Sequence, residues 1–244
     1  MEITFVGTGD AFGSGGRFQT CIRVEAEGHT VLVDCGATTL TAFKAQGMDP
    51  QQVDAVAISH LHADHFGGLP FLILDGQFTR RTKPLTILGP HGTEARLLAL
   101  MEACYPLSTS VRRRFDVEVI ELTGDGRSEE AGPVTLRSWE VDHASGAPAL
   151  ALNATIGDRT FGYSGDTAWT AALTPASAET DLFACEAYTY DSPVPFHLAY
   201  STILENHNLL PAAELILTHM GPTVLDRLDT LEFAAACDGL RRSI

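Results

Sequence analysis

Basic side chains are scarce in this sequence. Sixteen Lys and Arg stand against 31 Asp and Glu, a formal net charge of −15 over 244 residues. So acidic a surface is repelled by polyphosphate unless positive charge is gathered locally, which disfavours generic nucleic-acid and anionic-membrane binding. A small anionic substrate drawn to a local cationic centre remains compatible. Cysteine is sparse as well. Cys21, Cys35, Cys104, Cys185 and Cys237 are odd in number and scattered, with no C-x-x-C pair. No disulfide framework is expected, and the pattern predicts a reducing, cytoplasmic setting with five small buried thiols. Long apolar runs are missing: the longest, around 69–74, is far too short to cross a bilayer. Met1 is followed by a strand-like Glu2-Ile3-Thr4-Phe5-Val6 rather than a basic, then apolar leader, so no secretory signal is expected. There is no Pro/Ser-rich linker, internal repeat, low-complexity tract, helix–turn–helix pattern or zinc-finger spacing.

What is present is ordinary for a folded protein: 45% hydrophobic and 19% charged residues. A chain of this length buries roughly three quarters of its unfolded surface, so it needs no disulfide or metal merely to hold a core. Strands are expected at 3–6, 20–25, 30–34, 53–58 and 85–88, and in the second half at 115–122, 134–141, 149–156, 160–163, 182–185 and 215–218. Helices are expected at 38–46, 93–104 and 201–208, with a terminal one over 232–237. The polar stretch 124–132 reads as a hairpin loop. Each half runs strands and then strand–helix units. This predicts one domain over 1–244, of α/β class, with two sheets covered by helices.

The chemistry is concentrated in Ser59-His60-Leu61-His62-Ala63-Asp64-His65-Phe66-Gly67-Gly68, directly after the strand 53–58. Three imidazoles and a carboxylate fall within six residues, and both are ligands of zinc and similar divalent metals. His60 and His62 are two apart, so in extended backbone they point the same way. Asp64 and His65 follow where the chain must turn and can face a second point. One loop can thus serve two adjacent metals, with Gly67 and Gly68 sparing the turn a Cβ clash. A mononuclear or structural site, or a chance cluster on a polar loop, are the alternatives.

The H-x-H-x-D-H pattern resembles that of the metallo-β-lactamase superfamily. That resemblance implies further single ligands at later strand ends, and each is present in order. His143 stands in Val141-Asp142-His143, Asp166 in Ser164-Gly165-Asp166-Thr167, and His219 in Leu217-Thr218-His219. It implies an αββα sandwich of two mixed sheets flanked by helices. One metal would be held by His60, His62 and His143, the other by Asp64, His65 and His219, with Asp166 bridging. The ligand set suits two Zn2+ ions first, with manganese or iron as alternatives. Asp34 is a plausible partner for the second nitrogen of a ligand His.

The start Phe5-Val6-Gly7-Thr8-Gly9-Asp10-Ala11-Phe12, with Val33-Asp34-Cys35-Gly36 and His62 to Pro70, resembles the ribonuclease Z and phosphodiesterase branch. Members carry an H-E-A-T-type segment whose Glu orients a later catalytic His. Cys185-Glu186-Ala187-Tyr188 stands in that place, with His197 downstream. Cys185 replaces the His and Tyr188 the Thr, and the spacing after His197 also differs. By resemblance His197 protonates the leaving oxygen or binds the phosphate, and Glu186 holds its imidazole. Two departures oppose tRNA as a partner: the acidic charge, and the absence of the long basic arm expected between Tyr105 and Val141. Arg112-Arg113-Arg114 and Arg80-Arg81 read mainly as solvated charges, with phosphate contact as the alternative. The Gly7–Gly9 segment reads as a turn near the metals.

The implied activity is a dinuclear metal-dependent hydrolase. It would use a metal-bridging hydroxide, oriented by Asp64 and Asp166, to attack small or cyclic phosphodiesters. The partner is then a small-molecule substrate, no membrane is involved, and a homodimer is compatible. Three other readings stay open. They are an acyl hydrolase of the same fold (lactonase, thioesterase or β-lactamase-like), a tRNA 3′-endonuclease without the usual arm, and a metal-binding sensor without turnover.

Overall fold

The computed structural model describes residues 1–132 and 134–244. The first sheet contains β1 (Glu2–Gly7), β2 (Cys21–Ala26), β3 (His29–Val33), β4 (Ala55–Ala57), β5 (Leu85–Pro90) and β6 (Val117–Leu122). The second contains β7 (Asp125–Ala131), β8 (Val134–Val141), β9 (Ala149–Ile156), β10 (Arg159–Tyr163), β11 (Leu182–Glu186), β12 (Leu215–Thr218) and β13 (Ala234–Ala235). β14 (Leu240–Ser243) returns to the first sheet beside β1. Each sheet has seven strands, in the orders β14-β1-β2-β3-β4-β5-β6 and β13-β12-β11-β10-β9-β8-β7. Each begins with antiparallel hairpins and continues with parallel strands, β3 to β6 in one and β10 to β13 in the other. Both sheets are therefore mixed.

Side-chain alternation builds the layers. Along β1 to β4, Ile3, Phe5, Ile22, Val24, Val31, Val33, Ala55 and Ala57 face inward, against Leu136, Leu152, Ala154, Phe161 and Leu182 of the second sheet. The intervening Val6, Leu32, Val56 and Ile58 face outward. They pack under α1 (Thr39–Ala45), α3 (Leu69–Phe78) and α4 (Thr93–Cys104). Between α1 and α3 lies one short turn of helix, α2 (Ala63–Phe66). The other outer face, with Ala149, Ala151, Phe183 and Leu217, packs under α5 (Leu173–Ser177), α6 (Tyr200–Asn206) and α7 (Pro222–Leu225). A two-residue period with both faces apolar is what a sheet buried on both sides requires. The result is an αββα sandwich, as the resemblance implied.

Three expectations are corrected. Residues 232–237 form no helix; Ala234–Ala235 is the parallel edge strand β13, paired through Ile216↔Ala234 and Leu217↔Ala235. An alanine run this short cannot offset helix nucleation, whereas pairing satisfies open backbone groups on β12. The stretch 124–132 is not merely a loop, because β7 occupies most of it and pairs with β8. Its charged side chains are those of a solvated edge strand. The five thiols are free, but Cys104 and Cys237 are exposed rather than buried. In addition, the apolar run at 69–74 forms the first turns of α3, a helix the sequence reading did not assign. Among the described residues no helix is long and apolar enough to cross a membrane.

Candidate metal centre

Six strands end at one edge of the sandwich, and a polar residue sits at or just beyond each carboxyl end. Asp34 follows β3, the 59–65 segment follows β4, His143 follows β8, Asp166 follows β10, Glu186 ends β11 and His219 follows β12. The carboxyl ends of such strands are where ligands bind in open α/β sheets, since the loops there are free to vary while the sheet holds them. Backbone hydrogen bonds tie the loops together. Asp34 N donates to Ala57 O at 2.8 Å, Leu150 N to Ser59 O at 2.9 Å, and His219 N to Thr8 O at 3.1 Å. The Gly7–Gly9 segment thus lies beside the centre, as expected. Asp34 and His219 both have left-handed backbones, with φ of +61° and +52°. Such conformations are costly for non-glycine residues and are held by the surrounding structure. Gly68 is needed for space rather than torsion: its φ is −81°, but a Cβ would lie 2.3 Å from Gly36 O.

The side chains converge in two adjoining groups. His60, His62 and His143 present ligand atoms within 4.8 Å of one another, and so do Asp64, His65, Asp166 and His219. His60 and His62 lie on the extended approach to α2, while Asp64 and His65 lie on α2 itself, so the turn separates the two targets. Asp166 Oδ2 stands 3.3 Å from His65 Nε2, 3.4 Å from His219 Nε2 and 4.0 Å from His60 Nε2, facing both groups. Every residue expected to ligate is brought to this edge.

Hydrogen bonds to the far side of three rings dictate which nitrogen His60, His65 and His143 offer. Asp34 Oδ2 lies 2.7 Å from His65 Nδ1 and also accepts from Ser59 Oγ at 2.7 Å, while Asp34 Oδ1 accepts from Ser59 N at 2.7 Å. Ser59 Oγ, having donated, accepts from His60 Nδ1 at 3.1 Å. One buried carboxylate thus takes the Nδ1 proton of His65 directly and fixes that of His60 through a serine. Both Nε2 lone pairs are left facing the cavity. The Phe196 carbonyl does the same for His143 Nδ1 at 2.8 Å, leaving its Nε2 3.1 Å from His62 Nδ1. Ser59 and the Phe196 carbonyl carry roles the sequence reading missed. Ser59 had a signal, since it immediately precedes His60; a backbone carbonyl has none.

These donors fit a divalent metal centre. His60 Nε2, Asp166 Oδ1 and His219 Nδ1 are buried and have no hydrogen-bond partner among the described residues. Such atoms are costly unless something bonds them. His65 Nε2 and His219 Nε2 are 3.2 Å apart, each within 3.4 Å of the Asp64 and Asp166 carboxylates. A constellation of acceptors this dense calls for a cation. The electrostatics carry the same demand. Burial opposes charge on Asp64 and Asp166, yet the facing imidazoles hold both carboxyls below the ordinary range. Burial likewise lowers His219, but the Asp166 and Asp64 carboxylates outweigh it and push the imidazole up to about 9.

Comparison with known proteins gives the family of the chain. The sequence family described as anti-Pycsar protein Apyc1 matches residues 1–234. The chain belongs to this family. It is also similar to a ribonuclease Z of Agathobacter rectalis, 31% identical over 144 residues, which are 59% of this chain and 46% of that protein. The match thus spans about half the length of this curated relative. Human tRNase Z, short form, superimposes with a TM-score of 0.80 at 23% identity, over 100% of this chain and 99% of that one. A diphosphatase from the PhnP family superimposes with a TM-score of 0.76 at 16% identity, over 100% and 97%. These likenesses place the Apyc1-family chain in the metallo-β-lactamase superfamily, on its ribonuclease Z and phosphodiesterase branch.

In this Apyc1-family structure Glu186 and His197 meet as the resemblance implied. His197 Nδ1 lies 2.9 Å from Glu186 Oε2, and Glu186 Oε1 accepts from Thr167 N. Burial and the neighbouring Asp166 charge raise the Glu186 carboxyl to about 7. Burial lowers His197, but the Glu186 hydrogen bond and charge outweigh it, so the imidazole stays protonated above its ordinary range. His197 Nδ1 is 3.9 Å from Asp166 Oδ2, which sets it at the rim of the ligand groups. Tyr188, which departs from the expected segment, lies against the His197 ring at a centroid distance of 4.6 Å. Phe12, 86% exposed, stands at the mouth of a cavity of about 200 Å³ floored by Asp64, Asp166 and His219. The arginines are not brought here as phosphate ligands. Arg81 is buried, and its guanidinium donates to the carbonyls of Pro50, Gln51, Val53, Lys83 and Pro84, so it is not a solvated charge either.

Proposed function

We propose that this protein is a dinuclear metal-dependent phosphodiesterase acting on small or cyclic phosphodiesters. His60, His62 and His143 would hold one divalent ion, Asp64, His65 and His219 the other, and Asp166 would contact both. Zinc suits this set of imidazoles and carboxylates. When bound, such ions acidify a water towards a pKa of about 7 and add positive charge where phosphoryl oxygens lie. Asp64 and Asp166 orient the attacking water by accepting its hydrogen bonds. His197 donates the proton that the departing oxygen takes as its P–O bond breaks, and one proton from the consumed water restores the balance. Glu186 holds the imidazole with Nε2 free for that transfer.

The observation that carries this reading is the Glu186–His197 pair, a buried carboxylate on a half-buried imidazole, beside the ligand groups. An alkoxide is a poor leaving group, and the imidazole beside the ligand groups supplies the acid it needs. A small substrate is favoured over tRNA because the net charge is −15 and no basic arm is present. We read the 244 residues as one domain, since Glu2 pairs with Ser243 across the chain.

The test is metal analysis of the purified protein together with turnover of bis(p-nitrophenyl) phosphate, a thioester and a lactone. Phosphodiester turnover, abolished by His62→Ala and not restored by excess metal, is the expected result. Turnover of the acyl substrates alone overturns the reading.

A further inference from the structure

His197 lines two cavities. One is the metal-side cavity with Asp64, Asp166 and His219. The other, about 370 Å³, lies between Trp169 and the turn at 193–198. Its apolar walls are Trp169, Pro193, Val194, Pro195, Phe196 and Leu198; His197 and Thr202 are its polar lining, and among the described residues no Asp, Glu, Lys or Arg lines it. The turn is not a slack loop. His197 N donates to Val194 O at 3.2 Å, Phe196 has a left-handed φ of +67°, and the Phe196 carbonyl fixes His143. One segment therefore orients a metal-side imidazole, presents the proton donor and forms an apolar wall.

We infer that the Trp169 cavity is the subsite for the part of the substrate that carries the departing oxygen, and that this part is an uncharged apolar or aromatic group. The inference rests on the phosphodiesterase reading above, in which His197 is the acid. Glu186 occupies His197 Nδ1, so the proton leaves from Nε2. The departing oxygen must come within hydrogen-bond reach of that nitrogen while phosphorus sits on the metal side. The group bonded to that oxygen then extends past His197, into the second cavity. Apolar walls favour an apolar occupant by removing its surface from water. They also disfavour a charged one, which loses hydration there, since the only ionisable side chain among the described lining residues, His197, is committed to Glu186 through Nδ1 and to the departing oxygen through Nε2. A nucleotide chain, whose next phosphate would enter this cavity, is disfavoured on the same ground.

The test compares methyl 4-ethylphenyl phosphate with methyl 4-(carboxymethyl)phenyl phosphate, whose leaving phenols are of similar acidity but differ in charge. The metal-loaded protein is expected to prefer the apolar diester by about tenfold in kcat/KM, and Trp169→Ala to reduce that ratio to about twofold. An equal preference in the wild type, or a ratio untouched by Trp169→Ala, overturns the inference. A binding arm keeps it independent of turnover: saturation-transfer NMR of the protein with 4-ethylphenol and with 4-hydroxyphenylacetate. Transfer to 4-ethylphenol alone, lost in Trp169→Ala, supports the subsite; equal transfer to both, or transfer retained in the variant, overturns it. If neither diester is hydrolysed, the phosphodiesterase reading fails and the binding arm alone decides the subsite.

Discussion

The two sheets supply the centre in different ways. The first contributes a continuous segment, His60 to His65, in which extended backbone and one turn of α2 aim neighbouring side chains at two points. The second contributes His143, Asp166, Glu186 and His219 singly, from four different strand ends. In the first case local geometry does most of the work. In the second, the register of parallel strands does it: Tyr163↔Ala184 and Glu186↔Thr218 pairings align the ends of β10, β11 and β12. A compact cluster can be set by a dozen residues, whereas the scattered set requires the whole sheet to be folded. The first sheet also has one distant support, because the Asp34 carboxylate at the end of β3 fixes the tautomers of two residues in the compact segment.

This contrast can be broken at its junction. Asp166→Asn removes the one carboxylate that faces both groups. It is expected to lower kcat by about a thousandfold, checked by steady-state kinetics at saturating metal. Metal content should fall in both groups together. Loss from only one group would show that the second sheet serves one site and not the junction.

A smaller effect is expected at Glu186. Its carboxylate raises the His197 imidazole, and in the proposed reaction His197 acts in its protonated form, so activity is expected to fall as pH rises through that pKa. Glu186→Gln removes the charge and lowers the pKa. The alkaline limb of kcat/KM should therefore move to lower pH, with kcat down about a hundredfold. A pH–rate profile checks this; an unmoved alkaline limb would detach His197 from the limb.

Asp34→Asn is expected to act most mildly, weakening metal affinity by about 10- to 100-fold. The amide nitrogen cannot accept the His65 Nδ1 proton, so the ring that offers Nε2 is no longer enforced. Competition with a chelator measures the affinity. A loss confined to turnover, with affinity intact, would mean the compact segment orients itself.

Legibility in the sequence follows the same division. Most strands were readable because each inward residue alternates with an outward one, as in Val31, Leu32 and Val33. The His60–His65 segment was readable because its spacing alone implies two targets. The later residues were found by resemblance, since a lone His143 or His219 after a strand carries no local signal. Where local pattern and tertiary demand diverged, tertiary demand prevailed. Ala234–Ala235 became an edge strand because β12 offered unpaired backbone groups, and the charged stretch 125–131 became β7 because an edge strand tolerates solvated side chains. Arg81 looked like surface charge, yet it is buried among carbonyls that only folding brings together.

The amino-acid sequence by itself determined the layer pattern, the compact ligand segment and the acidic field that disfavours polyanions. These depend on residue order at short range and on composition, and both survive without coordinates. Only the tertiary structure decided which nitrogen His60, His65, His143 and His197 offer, that Phe196 holds His143 through its carbonyl, and that a largely apolar cavity opens beside His197. Each of those depends on atoms tens of residues apart being brought within hydrogen-bonding distance, which strand register sets and local sequence does not.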